Sequence, residues 1–281
     1  MMTAKGTSHY IDSGDAEIHV EQSGEGPPIL LIHGWPLDSR IFTPQVPALG
    51  KHFTVITYDR RGFGKSSGRP DLRCEVDDID RILDDCTKKA VHVLGMSQGG
   101  RIALRYAITR KERLSSLILQ GAVIDGYSIE ESPEESIPIS EYSQLVRNGH
   151  LDEFRKRWLR HPMMENAGLQ EDEASLVEHI LNDYDGRDLK IYSPDIYQFS
   201  IDVLASLERL TIPTLILTGA QETDSRREHA RKLTRLIPGA REVILSRSGH
   251  LSNLTEPGVF NQAVIEFCSC VDAGLTPDIS D

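Results

Sequence analysis

The strongest constraint on this chain is a serine set between two glycines, in the sequence GMSQG at 95–99. An apolar run at 90–94 comes directly before it, and a helical pattern of apolar residues follows it. In a sharp turn from a strand to a helix, flanking glycines let the two elements approach closely while the serine hydroxyl stays exposed. The sequence therefore predicts a nucleophile elbow, with Ser97 as the nucleophile.

Short apolar runs recur along most of the chain, separated by residues of helical periodicity. Most runs are continuously apolar, which is typical of central parallel strands covered on both faces. Between the runs, apolar residues recur at helical spacing, most clearly at 76–86 and 102–108. Strands that alternate with helices predict an α/β architecture. The predicted strands are 29–32, 54–57, 90–94, 117–119, 214–217 and 242–245.

This alternation stops between residues 125 and 204. The segment begins with a carboxylate-rich stretch at 125–136, and its later apolar residues recur at helical spacing, as in 151–159. It contains no run with the character of a strand. We therefore predict a helical cap at 125–204, inserted into one α/β core that is formed by 1–124 and 205–281.

A serine hydroxyl is a weak nucleophile unless a general base takes its proton and an acid orients that base. In nucleophile-elbow enzymes these partners follow in the order serine, acid, histidine. His250, in a loop just after the last predicted strand, is the predicted base. The acid has three candidates, Glu222 and Asp224 after the fifth predicted strand and Asp125 after the fourth. Spacing alone does not choose among them.

Two backbone N–H groups are needed to stabilise the oxyanion that forms when an acyl carbon is attacked. One is expected from Gln98, the residue after the nucleophile. The other is expected from the loop after the first predicted strand, where Gly34 permits a turn and Pro36 has no N–H to offer. Trp35 is therefore the predicted second donor.

The sequence also offers three candidates for contact with the substrate. His33 and Gly34 are two of them, because they lie beside the predicted oxyanion donor. Trp158 is the third, because an indole in the cap can line an apolar acyl pocket. Trp158 can equally belong to the cap's own core, since apolar stripes on helices usually serve packing.

The overall charge excludes several classes of partner. The chain has 31 basic and 43 acidic residues, a net charge of −12, which disfavours nucleic acids and anionic membranes. No apolar run approaches the roughly 18 residues of a membrane helix, and no apolar leader is visible, so a cytoplasmic location is expected. If the acidic stretch at 125–135 lies near the entrance of the site, anionic substrates are expected to be disfavoured.

No metal and no cofactor are predicted. The histidines show neither HxH nor HExxH spacing. The stretch GFGKS at 62–66 lacks the first glycine of a phosphate loop and the third glycine of a dinucleotide-binding loop. Four cysteines are too few for a disulfide framework, so reduced thiols are expected. The sequence carries no signal for an oligomeric state.

Five motifs span nearly the whole chain, namely HGW at 33–35, YDRRGFGKS at 58–66, GMSQG at 95–99, TGA at 218–220 and GH at 249–250. Taken in order, they resemble those of the α/β-hydrolase fold superfamily. The resemblance implies an eight-stranded, mostly parallel sheet with a helical cap over the active site. It also favours Glu222 as the acid, since relatives place a carboxylate, usually Asp, three residues after the glycine that ends the strand, here Gly219.

Within this superfamily, the chain resembles the enol-lactonases and the cofactor-free, haloperoxidase-like esterases. The resemblance implies a serine hydrolase that cleaves a small carboxylic ester or lactone through an acyl-enzyme intermediate. Its implied partner is that small-molecule ester or lactone. The alternatives are a carbon–carbon bond hydrolase or an amidase that uses the same triad, and a ligand receptor on this fold.

Overall fold

A computed structural model of the protein describes residues 6–165 and 168–275. Within these residues the strands are β1 (Thr7–Asp12), β2 (Glu17–Ser23), β3 (Pro28–Ile32), β4 (Thr54–Tyr58), β5 (Val91–Met96), β6 (Leu114–Gln120), β7 (Thr214–Gly219) and β8 (Arg241–Leu245). All eight belong to one sheet, in the order β1-β2-β4-β3-β5-β6-β7-β8.

The sheet is mostly parallel. β2 pairs antiparallel with both β1 and β4, whereas every other pairing is parallel. Along β3, Ile29 and Leu31 pack into one hydrophobic cluster, and Leu30 and Ile32 pack into another. Because successive side chains of a strand point to opposite faces, both faces of the sheet are covered. The predicted fold class, α/β with a mostly parallel eight-stranded sheet, is confirmed.

The helices that cover the sheet follow its strands in the crossover pattern of an α/β fold. In the described residues they are α1 (Gln45–Leu49), α2 (Glu75–Cys86), α3 (Gln98–Thr109), α4 (Ile139–Arg147), α5 (Leu151–Leu159), α6 (Pro162–Glu165), α7 (Glu171–Asp183), α8 (Arg187–Lys190), α9 (Val203–Ser206), α10 (Asp224–Leu236), α11 (Ser252–Thr255) and α12 (Pro257–Asp272). Single turns of 3₁₀ helix occur at Ser39–Phe42, Lys111–Arg113, Pro194–Tyr197 and Leu207–Arg209.

The six strands predicted from apolar runs correspond to β3 through β8, with ends that differ by a few residues. The runs did not indicate β1 and β2, which lie toward one edge of the sheet. Polar residues occupy most positions of β1, and of its six side chains Ile11 alone is buried. Edge strands need little apolar surface, so their pattern does not stand out in the sequence.

Residues 125–204 are called the cap segment below. Helices α4 to α8 lie in it, and none of its described residues belongs to a β-strand. Its buried residues Tyr142, Phe154 and Trp158 join the hydrophobic cluster that contains Trp35, in the loop after β3. The cap segment therefore packs over the carboxyl ends of the parallel strands. Its boundaries, and the division into core and cap, stay a prediction.

Candidate active site

Ser97 occupies the sharp turn between β5 and α3. Its backbone has φ 55° and ψ −115°, and among the described residues it is the one non-glycine residue with a positive φ. Such a backbone costs about 1–3 kcal/mol and persists only where the surrounding structure holds it. A strained serine between a strand and a helix has the local geometry of a nucleophile elbow.

The second glycine of the motif is required by the close passage of α3 over the end of β3. A Cβ on Gly99 would lie 2.2 Å from the carbonyl oxygen of Ile32 and 2.6 Å from that of His33. Both are backbone atoms, which cannot turn aside as a flexible side chain can. The motif therefore lets the helix begin directly at the nucleophile.

His250 and Glu222 form a buried, hydrogen-bonded pair. His250 Nδ1 lies 2.6 Å from Glu222 Oε2, and Glu222 Oε1 accepts the N–H of Thr223 at 2.9 Å. Burial alone would raise the pKa of Glu222. The His250 imidazole and the Thr223 N–H lower that pKa by more, so the net pKa of Glu222 lies below its ordinary value. An ionised Glu222 accepts the Nδ1–H of His250 and leaves Nε2 of the ring free to take a proton.

Gln120, at the end of β6, connects this pair to the nucleophile. Its backbone carbonyl accepts the N–H of Ser97 at 2.7 Å, and its side-chain amide donates to the carbonyl of His250 at 3.0 Å. In the described part of the chain, Ser97 Oγ makes no hydrogen bond to His250. In substrate-free enzymes this contact is often long and tightens only when substrate binds.

The two other candidates for the acid are paired with arginines, although Asp125 lines the same cavity as Ser97. Asp224 is exposed at the start of α10 and forms an ion pair with Arg227. Asp125 lies 2.7 Å from Arg105 Nε and 3.1 Å from Arg101 Nε. In the structure as described, neither carboxylate bonds to His250. Of the three candidates, Glu222 therefore has the position that suits the acid.

The backbone N–H groups of Trp35 and Gln98 have no protein acceptor within the described residues. Gln98 is the first residue of α3, and the first N–H groups of a helix have no partner inside it. A Cβ on Gly34 would lie 3.2 Å from Ser97 Cβ, so the chain passes beside the nucleophile just before Trp35. Two unpaired N–H groups in this position form a candidate oxyanion hole.

The indole of Trp35 is bonded to a buried carboxylate of the cap segment. Trp35 Nε1 donates to Asp188 Oδ2 at 2.6 Å, and the Tyr184 hydroxyl donates to Asp188 Oδ1 at 2.5 Å. Burial raises the pKa of Asp188 by more than these two bonds lower it. The contact connects the loop of the candidate oxyanion hole with α8. Because its partners are 153 positions apart, this contact has no local signature in the sequence.

His33, which the sequence predicts to contact the substrate, does not lie on the wall of the Ser97 cavity. The side chain is completely buried. Its Nε2 accepts the backbone N–H of Arg60 at 2.9 Å, and burial lowers its pKa to about 4. The neutral ring thus holds the loop after β4 against the loop after β3. Gly34 likewise lies against Ser97 without lining the cavity.

A cavity of about 320 Å³ lies beside Ser97. Trp35, Gln98 and Trp158 line it, and Trp158 also packs edge-on against Trp35, with ring centroids 4.9 Å apart. Trp158 therefore belongs both to the cavity wall and to the packed core of the cap segment. A larger cavity of about 530 Å³, lined in part by Asp38 and Lys65, contains neither the nucleophile nor its predicted partners.

Two arginines that the sequence analysis did not single out, Arg101 and Arg226, line the cavity of Ser97. Arg101 follows Gln98 by three residues in α3, so the two side chains share one face of the helix. That spacing is a signal present in the sequence. Arg226 lies on α10, and the fold alone brings it to Ser97.

The described residues include one group of three potential metal ligands, His9, Asp85 and Cys86, and it does not line this cavity. His9 Nε2 is already hydrogen-bonded to Asp85 at 2.8 Å. None of the described helices is long and apolar enough to cross a membrane.

The sequence and the fold are similar to those of known hydrolases. A profile of the alpha/beta hydrolase fold family matches residues 27–257. A protein of Azorhizobium caulinodans named as the carbamate hydrolase RutD is 28% identical over 270 residues, which cover 94% of this chain and 99% of that protein. A 2-hydroxy-6-oxononadienedioate/2-hydroxy-6-oxononatrienedioate hydrolase of Cupriavidus pinatubonensis is 27% identical over 288 residues, which cover 95% of this chain and 96% of that protein.

A solved structure of an esterase also shares this fold. The esterase EaEST of Exiguobacterium antarcticum is 26% identical and aligns with a TM-score of 0.77, over 94% of this chain and 100% of that one. The names of these three proteins describe different substrates. What they share is hydrolysis on a common fold.

Proposed function

Because this chain belongs to the alpha/beta hydrolase fold family and its relatives are hydrolases, we propose that it is a serine hydrolase of small carboxylic esters or lactones. Ser97 is the nucleophile, His250 the general base and Glu222 the acid that orients His250. Trp35 and Gln98 supply the oxyanion N–H groups. The proposal rests on one combination of features. The backbone of Ser97 is strained, His250 and Glu222 form a buried pair, and the two predicted oxyanion donors have unpaired N–H groups in the described structure.

In the first half of the reaction, Ser97 Oγ attacks the carbonyl carbon of the bound ester. A C–O bond forms, the hydroxyl proton passes to His250 Nε2, and the carbonyl oxygen becomes an oxyanion. Glu222 stabilises the imidazolium through Nδ1–H. The N–H groups of Trp35 and Gln98 donate to the oxyanion, and loss of one such donor costs roughly 10²–10³-fold in kcat.

The tetrahedral intermediate then collapses and the bond to the leaving oxygen breaks, which completes acylation. His250 returns its proton to that oxygen, and the acyl group stays on Ser97. A water molecule then attacks the acyl carbon while His250 takes one of its protons. The bond to Ser97 breaks, the serine recovers a proton from His250, and the product is a carboxylic acid. A lactone gives a single product, because acid and alcohol remain joined.

The nucleophile is tested by Ser97→Ala with p-nitrophenyl butyrate as substrate. We expect kcat to fall by about 10⁴-fold or more, since removal of a triad member leaves only binding and the oxyanion donors. Ser128→Ala is the matched control, because Ser128 is an exposed serine of the cap segment. Mass spectrometry of the wild type during turnover should detect a butyryl group on Ser97. Wild-type turnover by Ser97→Ala would contradict the mechanism.

The acid is tested by three isosteric amide variants. Glu222→Gln should lower kcat by up to about 10⁴-fold, because an amide no longer fixes the tautomer of His250. Asp224→Asn should stay close to the wild type, because Asp224 is exposed and paired with Arg227. Asp125→Asn should leave the His250–Glu222 pair in place, because Asp125 pairs with Arg101 and Arg105 and not with His250. An inactive Asp224→Asn beside an active Glu222→Gln would reverse the assignment.

The class of bond is tested with a panel of matched acyl groups presented as an aryl ester, a lactone, a carbamate, an anilide and a vinylogous diketone. We expect the highest kcat/KM for the ester or the lactone, with every activity removed by Ser97→Ala. A carbamate or a diketone that is turned over at least tenfold faster than the ester would assign the same triad to a different bond.

A further inference from the structure

Arg226 is a buried cation that has no bonded partner among residues 6–165 and 168–275. Its side chain is 7% exposed and lines the cavity that contains Ser97. Within the described residues it makes no hydrogen bond and no ion pair within 4.0 Å, and its Nε is enclosed without an acceptor. A buried charge without a partner is costly unless something else in the site pairs with it.

The carboxylates near Arg226 are bonded to other groups. Glu222 is bonded to His250, whereas Glu131 and Glu135 accept hydrogen bonds from the first turn of α10. Burial lowers the pKa of Arg226 by more than Glu222, Glu131 and Glu135 together raise it. These carboxylates therefore reduce the electrostatic cost of the cation without removing it.

Arg101 is a second cation on the wall of the same cavity. It shares Asp125 with Arg105, at 3.1 Å from Oδ1 and 2.7 Å from Oδ2 respectively. One carboxylate thus faces two guanidinium groups, and Arg101 Nε is left without a hydrogen bond of good geometry. Burial lowers the pKa of Arg101 by more than Asp125 raises it. Asp125 also lines this cavity, so its wall carries two guanidinium groups against one carboxylate, which Arg105 shares.

We propose that Arg101 and Arg226 form an anion subsite beside Ser97, and that the preferred substrate carries a free carboxylate in addition to the ester or lactone group. This inference rests on the proposed function. A guanidinium group presents its donors in a planar fork that matches a carboxylate. The carboxylate anchors one part of the substrate while Ser97 attacks another. This proposal runs against the expectation that the acidic stretch at 125–135 disfavours anions; of that stretch, Glu131 and Glu135 accept hydrogen bonds from α10 and Asp125 pairs with Arg101 and Arg105.

The wild-type protein gives the first test, with two matched pairs of substrates. In the first pair the charge lies on the acyl side, in the mono-p-nitrophenyl ester of adipic acid against p-nitrophenyl hexanoate. In the second it lies on the alcohol side, in 4-carboxyphenyl butyrate against phenyl butyrate. We expect kcat/KM to favour the anionic member at least tenfold in one pair. A preference for the neutral member in both pairs would overturn the inference.

Variants assign the preference to the arginines. Arg226→Gln and Arg101→Gln should each lower the ratio of anionic to neutral kcat/KM by about tenfold to a hundredfold, as expected for loss of a hydrogen bond to a charged group. Arg231→Gln is the matched control, because Arg231 lies on the same helix with its side chain 64% exposed. Its ratio should equal that of the wild type. A ratio unchanged in both cavity variants would refute the role of the arginines.

Binding without turnover gives an independent measurement. Adipate should bind Ser97→Ala in calorimetry, and the added change Arg226→Gln should weaken that binding at least tenfold, whereas Arg226→Lys should restore part of it. Equal binding by all three proteins would overturn the subsite. If Arg226→Gln does not fold by circular dichroism, the wild-type substrate pairs decide alone. Turnover that survives Ser97→Ala refutes the proposed function, whereas turnover that needs Ser97 but ignores charge refutes only the anion subsite.

Discussion

Replacement of Gly121 by alanine tests whether the His250–Glu222 pair has to stand where the structure places it. Gly121 follows β6 with a φ of +54°. An added Cβ would lie 2.8 Å from His250 Cε1, 2.9 Å from His250 Nδ1 and 3.2 Å from Glu222 Oε2. Ordinary contacts of a Cβ begin near 3.4 Å, so the imidazole has to retreat by about 0.6 Å.

The size of the effect follows from this displacement. A misplacement of about 1 Å in an active site costs roughly 10²-fold in rate, so a retreat of about 0.6 Å predicts a kcat some 10- to 50-fold lower. Stability falls as well. A left-handed backbone costs a residue with a Cβ about 1–2 kcal/mol, and crowding in a packed region adds about 1–3 kcal/mol. We therefore expect the free energy of unfolding to drop by about 2–5 kcal/mol.

The assay combines kcat on p-nitrophenyl butyrate with urea unfolding. Gly239→Ala is the matched control, because Gly239 has a φ of +73° and nothing lies within 4 Å of its added Cβ. It should lose about 1–2 kcal/mol of stability from its backbone and keep the kcat of the wild type. A folded Gly121→Ala with wild-type kcat would show that catalysis does not depend on the position of this pair.

Three further predictions concern the surroundings of the site. The pKa of Glu222 is lowered in the folded state, so its charge stabilises the fold above its ordinary pKa of 4.5 and that contribution is lost as the pH falls through the folded pKa. The difference in unfolding free energy between the wild type and Glu222→Gln, measured in urea, should therefore shrink below pH 4.5. Tyr184→Phe removes a donor to the buried carboxylate of Asp188 and should lower the free energy of unfolding in urea by about 1–3 kcal/mol. Trp158→Ala should cost about 3–5 kcal/mol and alter the dependence of kcat/KM on acyl length in a series of p-nitrophenyl esters.

The parts of the fold that the sequence predicts are those whose signal is local. Buried parallel strands such as β3 and β5 are apolar throughout, because both of their faces are covered, and such runs are visible without knowledge of their partners. β1 cannot be predicted from such a run. It lies at the edge, pairs with one strand only and needs little apolar surface, so its residues resemble those of a loop.

The same division applies to the site. Ser97 and Gln98 are visible because an elbow needs its glycines at fixed positions in a short segment. His33 shows the opposite case, since its position next to Trp35 suggested substrate contact and its ring serves the packing of two loops instead. The bond from Trp35 to Asp188 joins distant parts of the chain and has no local signature.

Charge shows most clearly why composition predicts partners better than it predicts sites. A net charge of −12 describes the field around the whole molecule, which decides whether a polyanion is attracted at long range. Solvent and salt screen exposed carboxylates within roughly 8–10 Å, so they contribute little inside a cavity. Arg226 is buried and Arg101 is partly buried on the wall of the cavity of Ser97, where screening of their charges is weaker than at the surface. An acidic protein can therefore hold a cationic site, and the sign of that site depends on which side chains the fold buries beside the nucleophile.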